Sequence, residues 1–308
     1  MIKTPLSTVI GGAFWTPGAT VIGGASRTLN QIIKSLFASG EQGFAYDPND
    51  LSTMFQDAAG TIPVTGAGQA VGLMLDKSKG LVLGSQLINN GTFDTDTAWS
   101  KGTGWSISGG KARFDGSASF SNLGNTISAP ISGKFLKVEF ELSNVGTSVT
   151  QIRVLVSGAL GATVPVNGNG KYSAIVLGGA VPSIGIQTRN ASGANYALTL
   201  DNVSVREVLG SHAYQTTSSM RPLLVANPQR LDYDTVDDKL TTTLPAQLTG
   251  CTVVRSVPNV GTQILTNQTI PTPYNDNKDH CGLIVINRAL TAIETSQITK
   301  LFNKASGV

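Results

Sequence analysis

The sequence predicts a mainly β protein: an N-terminal arm and amphipathic helix, a central β-sandwich, and a small C-terminal β domain with a terminal helix. Three observations carry this. From about Leu87 onward, short apolar-alternating runs recur between turn signals, the pattern of sandwiches and barrels. Only two stretches show the helical period of apolar residues. Charged residues make up 13% of the chain, against about 25% in ordinary soluble domains, and Gly, Ser, Thr, Asn and Ala fill the space. That mixture suits β-rich extracellular or particle-bound proteins. Disorder is not implied, because it needs low hydrophobicity with high net charge.

Residues 1–25 read as an extended arm, since Pro5, Gly11-Gly12, Pro17 and Gly23-Gly24 break any helix. Phe14 and Trp15 have no local core, so they fold back on the next segment or dock on a neighbouring subunit. Leu29, Ile32, Ile33, Leu36 and Phe37 then form one apolar stripe, with Ser26 as cap and Gly40 as stop. Such a helix must pack on the next segment of the chain or on copies of itself. Asp47-Pro48-Asn49-Asp50 reads as a turn before a short helical piece through Leu51, Met54 and Phe55. Thr61 to Leu83 reads as a small β element.

Strands are expected at Lys111–Phe114, Phe135–Leu142, Gln151–Ser157, Tyr172–Leu177, Ile184–Gln187 and Tyr196–Val205. In Phe135–Leu142, Phe135, Lys137, Glu139 and Glu141 alternate with Leu136, Val138, Phe140 and Leu142. Gly210-Ser211-His212 looks like a linker. Thr291 and Glu294 form a capping box for a last helix with Ile298, Leu301, Phe302 and Ala305 on one face. The expected division is 1–85, 86–209 and 210–308.

Several function classes drop out. A net charge of +3 without a Lys/Arg cluster argues against nucleic acid. No stretch approaches the roughly 20 apolar residues of a membrane span. Pro5 and Pro17 interrupt the only signal-like stretch, so a chain made in the cytoplasm without a leader is expected. Cys251 and Cys281 are compatible with a disulfide or with two buried thiols. The two histidines, His212 and His280, lie in no metal or nucleophile motif. Glu139 with Glu141 fits a solvated strand face, and Asp234, Asp237 and Asp238 fit a tight turn. The expectation is therefore a protein that is not an enzyme.

Three segments carry resemblances. Leu36-Phe-Ala-Ser-Gly-Glu-Gln-Gly-Phe-Ala-Tyr-Asp-Pro-Asn-Asp-Leu-Ser-Thr-Met-Phe-Gln-Asp, continued by Thr61-Ile-Pro-Val-Thr and Gly68-Gln-Ala-Val-Gly-Leu-Met-Leu-Asp-Lys-Ser, resembles a module of tailed-bacteriophage virion proteins. Leu87-Ile-Asn-Asn-Gly-Thr-Phe-Asp, Trp99, Gly104-Trp105 and the closing Leu200-Asp-Asn-Val-Ser-Val resemble jelly-roll carbohydrate-binding modules. That resemblance implies a central jelly roll, with Trp99, Trp105, Tyr172 and Tyr196 as glycan-stacking or core aromatics. It also implies a structural calcium at Asp201, helped by Asp94, or else a capping or pairing role for Asp201; no other cofactor is expected. Leu231-Asp-Tyr-Asp-Thr-Val-Asp-Asp-Lys-Leu and Cys281-Gly-Leu-Ile-Val-Ile-Asn-Arg-Ala-Leu resemble the two ends of a lectin/laminin-G-like domain. About forty residues separate them, too few for a whole sandwich, so the domain is either minimal or completed by a neighbouring chain.

Together the resemblances imply a phage virion structural protein, a tail fibre or tail appendage subunit attached through its N-terminus. Phe14, Trp15, Leu29, Ile32, Ile33, Leu36 and Phe37 would be the anchor. A capsid decoration (head-fibre or cement) protein is the alternative, and a polysaccharide depolymerase spike a third. Implied partners are other phage virion proteins of tail, neck or capsid, bacterial surface glycan, and further copies of itself. A homotrimer is expected because an amphipathic helix before small β modules is readily stabilised by association.

Overall fold

The computed structural model describes residues 8–10, 13–15, 27–188 and 193–308. Two antiparallel sheets face each other at its centre. One runs in the order Ala159–Pro165, Gln151–Val156, Ser183–Gln187, Asn122–Thr126, Trp99–Lys101. The other runs Gly170–Leu177, Phe135–Ser143, Leu198–Val208, Lys111–Phe114, Trp105–Ser108, and Leu83–Gln86 pairs with the last residues of Leu198–Val208. Between Lys111 and Val208 the strand order is the eight-strand double Greek key of a jelly roll.

Alternation decides which face is inside. Leu136, Val138, Phe140 and Leu142 are buried against Ile152, Val154 and Ile186 of the opposite sheet, while Lys137, Glu139 and Glu141 face outward. Phe135 shares their outward side yet is buried, packed with Leu73, Leu75 and Ile175 where the jelly roll meets the rest of the chain.

The expected division into three successive domains changes here. The segments before and after the jelly roll share both sheets of a second sandwich. Its first sheet runs Gly261–Ile270, Leu248–Val257, Gly282–Ile286, Gly43–Tyr46. Its second runs Tyr274–Asp276, Leu240–Thr242, Ala213–Tyr214, Leu73–Met74, Met54–Phe55. Phe44, Tyr46, Met54, Met74, Leu231, Leu283 and Val285 fill the space between. The C-terminal segment is thus completed by this chain's own N-terminal strands, and the jelly roll is inserted between the two. Gly43 is required where the chains meet: its φ is +134°, and a Cβ there would lie 1.9 Å from the Val285 carbonyl oxygen.

Both helices cover the outer face of the first sheet. Leu29–Leu36 begins at Thr28, which forms a capping box with Gln31; the expected cap Ser26 lies outside the described residues. Ala292–Ser306 begins at the Thr291–Glu294 capping box and ends at left-handed Gly307. Ile32, Ile33, Leu36 and Phe37, with Leu29 at the margin, pack on Ala45, Val254, Ile284, Ile286, Ile298 and Phe302. These five residues are core of this chain and do not form a free anchor. Their burial also removes the reason for expecting a homotrimer built on that helix. Covered on both faces, Leu283-Ile284-Val285-Ile286 reads as an unbroken apolar run. Phe14 and Trp15 lie in a strand, Ala13–Trp15, paired with Thr8–Ile10; their side chains lie outside the described residues.

Both crossings between the units are pinned to Asp76. Its buried carboxylate accepts hydrogen bonds from the N–H groups of Ala45, Ser78 and Ser211 (each 2.8 Å) and from Ser78 Oγ (2.7 Å). Its own N–H donates to His212 Nδ1 at 2.9 Å, which leaves Nε2 to donate to the Val208 carbonyl at 3.0 Å. Burial holds the His212 imidazole below its ordinary range, as a neutral ring requires. Gly210, at φ +136°, lets the returning chain pass, since a Cβ there would lie 2.9 Å from Asp76 Oδ2. His212 then meets the Phe135 ring edge-on at 5.2 Å.

Leu36→Ala should cost about 2–5 kcal/mol in urea unfolding, the range for a truncated core leucine. A loss within about 0.5 kcal/mol, as at exposed positions, would show that the stripe is not packed. Gly43→Ala should leave too little folded protein to give a cooperative transition; a normal melt would refute the close approach.

Candidate functional site

On the outer face of the jelly roll, a cleft of about 320 Å³ opens between Phe135–Ser143, Gly170–Leu177 and Leu198–Val208. A β-bulge creates it. Glu139 pairs with Ser204 and Glu141 with Asp201, so one extra residue intervenes on the second strand, where Asn202 takes a φ of +51°. Asn202 Nδ2 consequently reaches Glu141 Oε2 at 3.3 Å. Glu139, Glu141, Lys171, Ser173, Asn202 and Ser204 line it, while Phe140 and Tyr172, paired between them, give it only backbone and turn their rings to the inner side of the sheet. Those two rings stack with centroids 5.9 Å apart. Tyr172 is half-buried, and its hydroxyl donates to the Gly168 carbonyl at 2.6 Å, so the ring is held in place.

None of the four expected aromatics offers its ring to this cleft: Tyr172 lies on a bordering strand with its ring packed inward against Phe140. Trp99 and Trp105 are core, 7% and 6% exposed. Trp99 lies against Phe93 and donates from Nε1 to the Asn90 carbonyl at 2.8 Å, and Trp105 lies against Phe114. Neither is available for stacking. Tyr196 closes a short 3-10 turn and is half-buried beside Phe114 and Val149.

The calcium expectation does not fit. Asp201 Oδ2 is taken by the Lys111 ammonium at 2.8 Å, and its Oδ1 by the Asn202 N–H at 2.7 Å. Asp94 accepts from Thr92 Oγ at 2.7 Å in an exposed loop. A cation ligated by oxygen needs six to eight donors, and a lysine already neutralises the main one. Among the described residues, only Asp234, Asp237 and Asp238 converge as three acidic groups. Asp234 Oδ1 there accepts the N–H groups of Val236, Asp237 and Asp238 at 2.9–3.1 Å, which explains the cluster as a loop closed by its own side chain. Cys251 and Cys281 are free, buried thiols.

The second sandwich holds a buried polar network that sequence pattern did not reveal. Asp276 Oδ1 receives Arg255 Nη2 at 3.0 Å; its Oδ2 receives Tyr233 Oη at 3.0 Å and His280 Nε2 at 2.8 Å. Arg255 Nη1 also donates to the Lys278 carbonyl at 2.7 Å. His280 Nδ1 is left buried without a partner. Burial alone would raise the Asp276 carboxyl, but His280 and Arg255 beside it hold it at about 2. Burial pushes the neighbouring Tyr274 up to about 12. The only signal for this network was a set of scattered polar residues in otherwise apolar strands.

No family model matches the chain, and no curated protein matches it. Among solved structures, it is similar to a CBM4 structure at 16% identity, over 39% of this chain and 99% of that one, with a TM-score of 0.32. It is also similar to a family 29 carbohydrate-binding module at 15% identity, over 41% of this chain and 88% of that one, with a TM-score of 0.29. A CBM29-2 variant complexed with mannohexaose matches at 15% identity, over 40% and 90%, with a TM-score of 0.29. At such values the likeness assigns no residue a role. The jelly roll stands on its strand order.

The Asp276 carboxyl is more acidic folded than unfolded, so its share of stability is present above about pH 4 and is lost as pH falls toward 2. Urea unfolding measured across that window should show stability falling with pH. In Asp276→Asn the protein should be weaker at neutral pH, with Arg255 left buried and unpaired, and its slope across the window should flatten. An unchanged slope would contradict the assignment.

Proposed function

We propose that this chain is a non-enzymatic structural protein of a tailed-bacteriophage particle, a tail fibre or appendage subunit that contacts surface glycan through the outer-face cleft of its jelly roll. The observation that carries the glycan reading is that cleft: an open groove on the outer sheet face lined by carboxylate, amide, ammonium and hydroxyl groups. Sugars offer many hydroxyls, and such a lining can both donate to them and accept from them. Glu139 and Glu141 sit on one open strand face, each with a partner of its own, Lys137 at 2.8 Å and Asn202. Carboxylates engaged in this way on an open strand face support binding without bond cleavage.

The virion reading rests on the string from Leu36 to Asp57 and its continuation to Ser78. Its residues make one connected framework: Asp47 and Asp50 grip the buried Lys77 ammonium at 3.0 and 2.6 Å, and Asp76 and Ser78 hold the junction. A string of this kind describes a fold element that a family of particle proteins would share. With the helix stripe buried, attachment falls to residues 1–25. A capsid decoration role uses the same arm, and copy number per particle separates the two.

A glycan array with the purified protein should give binding that Glu139→Ala and Lys171→Ala each weaken by about tenfold, near 1.4 kcal/mol, while the melting temperature holds. Host polysaccharide incubated with the protein should yield no new reducing ends. Binding untouched by both variants would sink the cleft. In purified particles, deletion of residues 1–25 should abolish incorporation, and a low copy number by mass spectrometry should mark a tail protein.

A further inference from the structure

The strand Gly261–Ile270 lies at the margin of its sheet, with Leu248–Val257 on one side and no described strand on the other. An open strand edge presents a row of unpaired N–H and C=O groups, and folded proteins blunt such edges with charge, proline or shortness. The other strands at the margins of the four sandwich sheets follow that rule. Trp99–Lys101 and Gly170–Leu177 carry a lysine, Ala159–Pro165 ends in proline, and the rest have four residues or fewer. Gly261–Ile270 has ten residues and contains neither charge nor proline. No Asp, Glu, Lys or Arg occurs between Arg255 and Asp276.

Register decides which groups point outward. Thr262 donates its N–H to Asn303 Oδ1 of the last helix at 2.9 Å, away from the neighbouring strand. By alternation, Ile264 and Thr266 turn their backbone groups to the same open side. The Thr266 carbonyl there meets the side-chain amide of Gln268 at 2.8 Å, an exposed contact that a strand can displace. Leu265 pairs with Val253 and carries its side chain on the interior side of the sandwich. It lies past the cover of the second sheet and is 44% exposed. The regular stretch ends just beyond, where a bulge leaves Asn267 at a φ of +55°.

We propose that this edge pairs, antiparallel, with the same edge of a second copy of the chain, about a two-fold axis at Leu265. Ile264 of each copy then exchanges backbone hydrogen bonds with Thr266 of the other, and the two Leu265 side chains lie directly opposite, each covering the other. Such a contact sets a strand against itself, so a charge at the axis would meet its own copy. This strand has none and is self-complementary. The two four-stranded sheets become one continuous sheet, with the helices of both copies on the same face.

Sedimentation velocity of the full chain from about 1 µM to about 1 mM tests this. The mass should rise from one copy to two, and Leu265→Lys should hold it at one copy throughout, with the melting temperature of the dilute protein unchanged. Under mild oxidation Leu265→Cys should give a disulfide-linked dimer, since the residue faces itself, well ahead of Val236→Cys at a position 84% exposed elsewhere. Cys251 and Cys281 are buried and do not compete. A chain that stays single over the whole range would overturn the proposal. So would a dimer that Leu265→Lys leaves intact, or one that Leu265→Cys links no faster than Val236→Cys.

Discussion

A single buried carboxylate holds this molecule in its shape. Asp76 receives donors from Ala45 in the second sandwich, from Ser78 on the way out to the jelly roll and from Ser211 on the way back, while its own N–H fixes the tautomer of His212. A buried charge is tolerated only when its lone pairs are filled, and here each donor comes from a different part of the chain. Removing any one of them would leave the others holding an under-solvated anion. The constraint explains several otherwise unrelated choices: Gly210 for passage, Ser78 for a second bond, and a neutral histidine sealed beneath Phe135.

Much of the architecture was legible because it is local. The alternation in Phe135–Leu142, the stripe from Leu29 to Phe37 and the Thr291–Glu294 box each declare an element within a few residues, and the elements are found there. Pairings across the insertion were not legible. Nothing near Gly43–Tyr46 says that Gly282–Ile286 is its neighbour, since the two apolar runs match many partners equally well. The C-terminal segment looked too short for a whole sandwich, and neither a minimal domain nor a neighbouring chain makes up the rest: strands from before the jelly roll do.

The sites were less readable than the fold for a related reason. Trp99, Trp105, Tyr172 and Tyr196 look like stacking platforms in a sequence, and only the parity and neighbours of each show that its ring is packed within the fold. Asp201 shows the same difficulty with charge: a carboxylate waiting for a cation and one already satisfied by Lys111 have the same letter. The Arg255 network is harder still, because Tyr233, Arg255 and the Asp276–His280 stretch are far apart in the chain and meet only when the sandwich closes.

The insertion also has a temporal consequence. As the chain emerges from the ribosome, Gly43–Tyr46 and Leu73–Met74 precede the jelly roll, yet their partners Gly282–Ile286 and Ala213–Tyr214 come after the whole of it has been made. The jelly roll needs nothing outside itself for its main core and is free to form early, as domains tend to during synthesis. It then brings the two flanks together, because Leu83 and Val208 end up side by side on neighbouring strands. A long connection that would otherwise delay closure becomes, once folded, a short staple. The early strands spend that interval with bare edges, dependent on the middle of the chain to deliver its end.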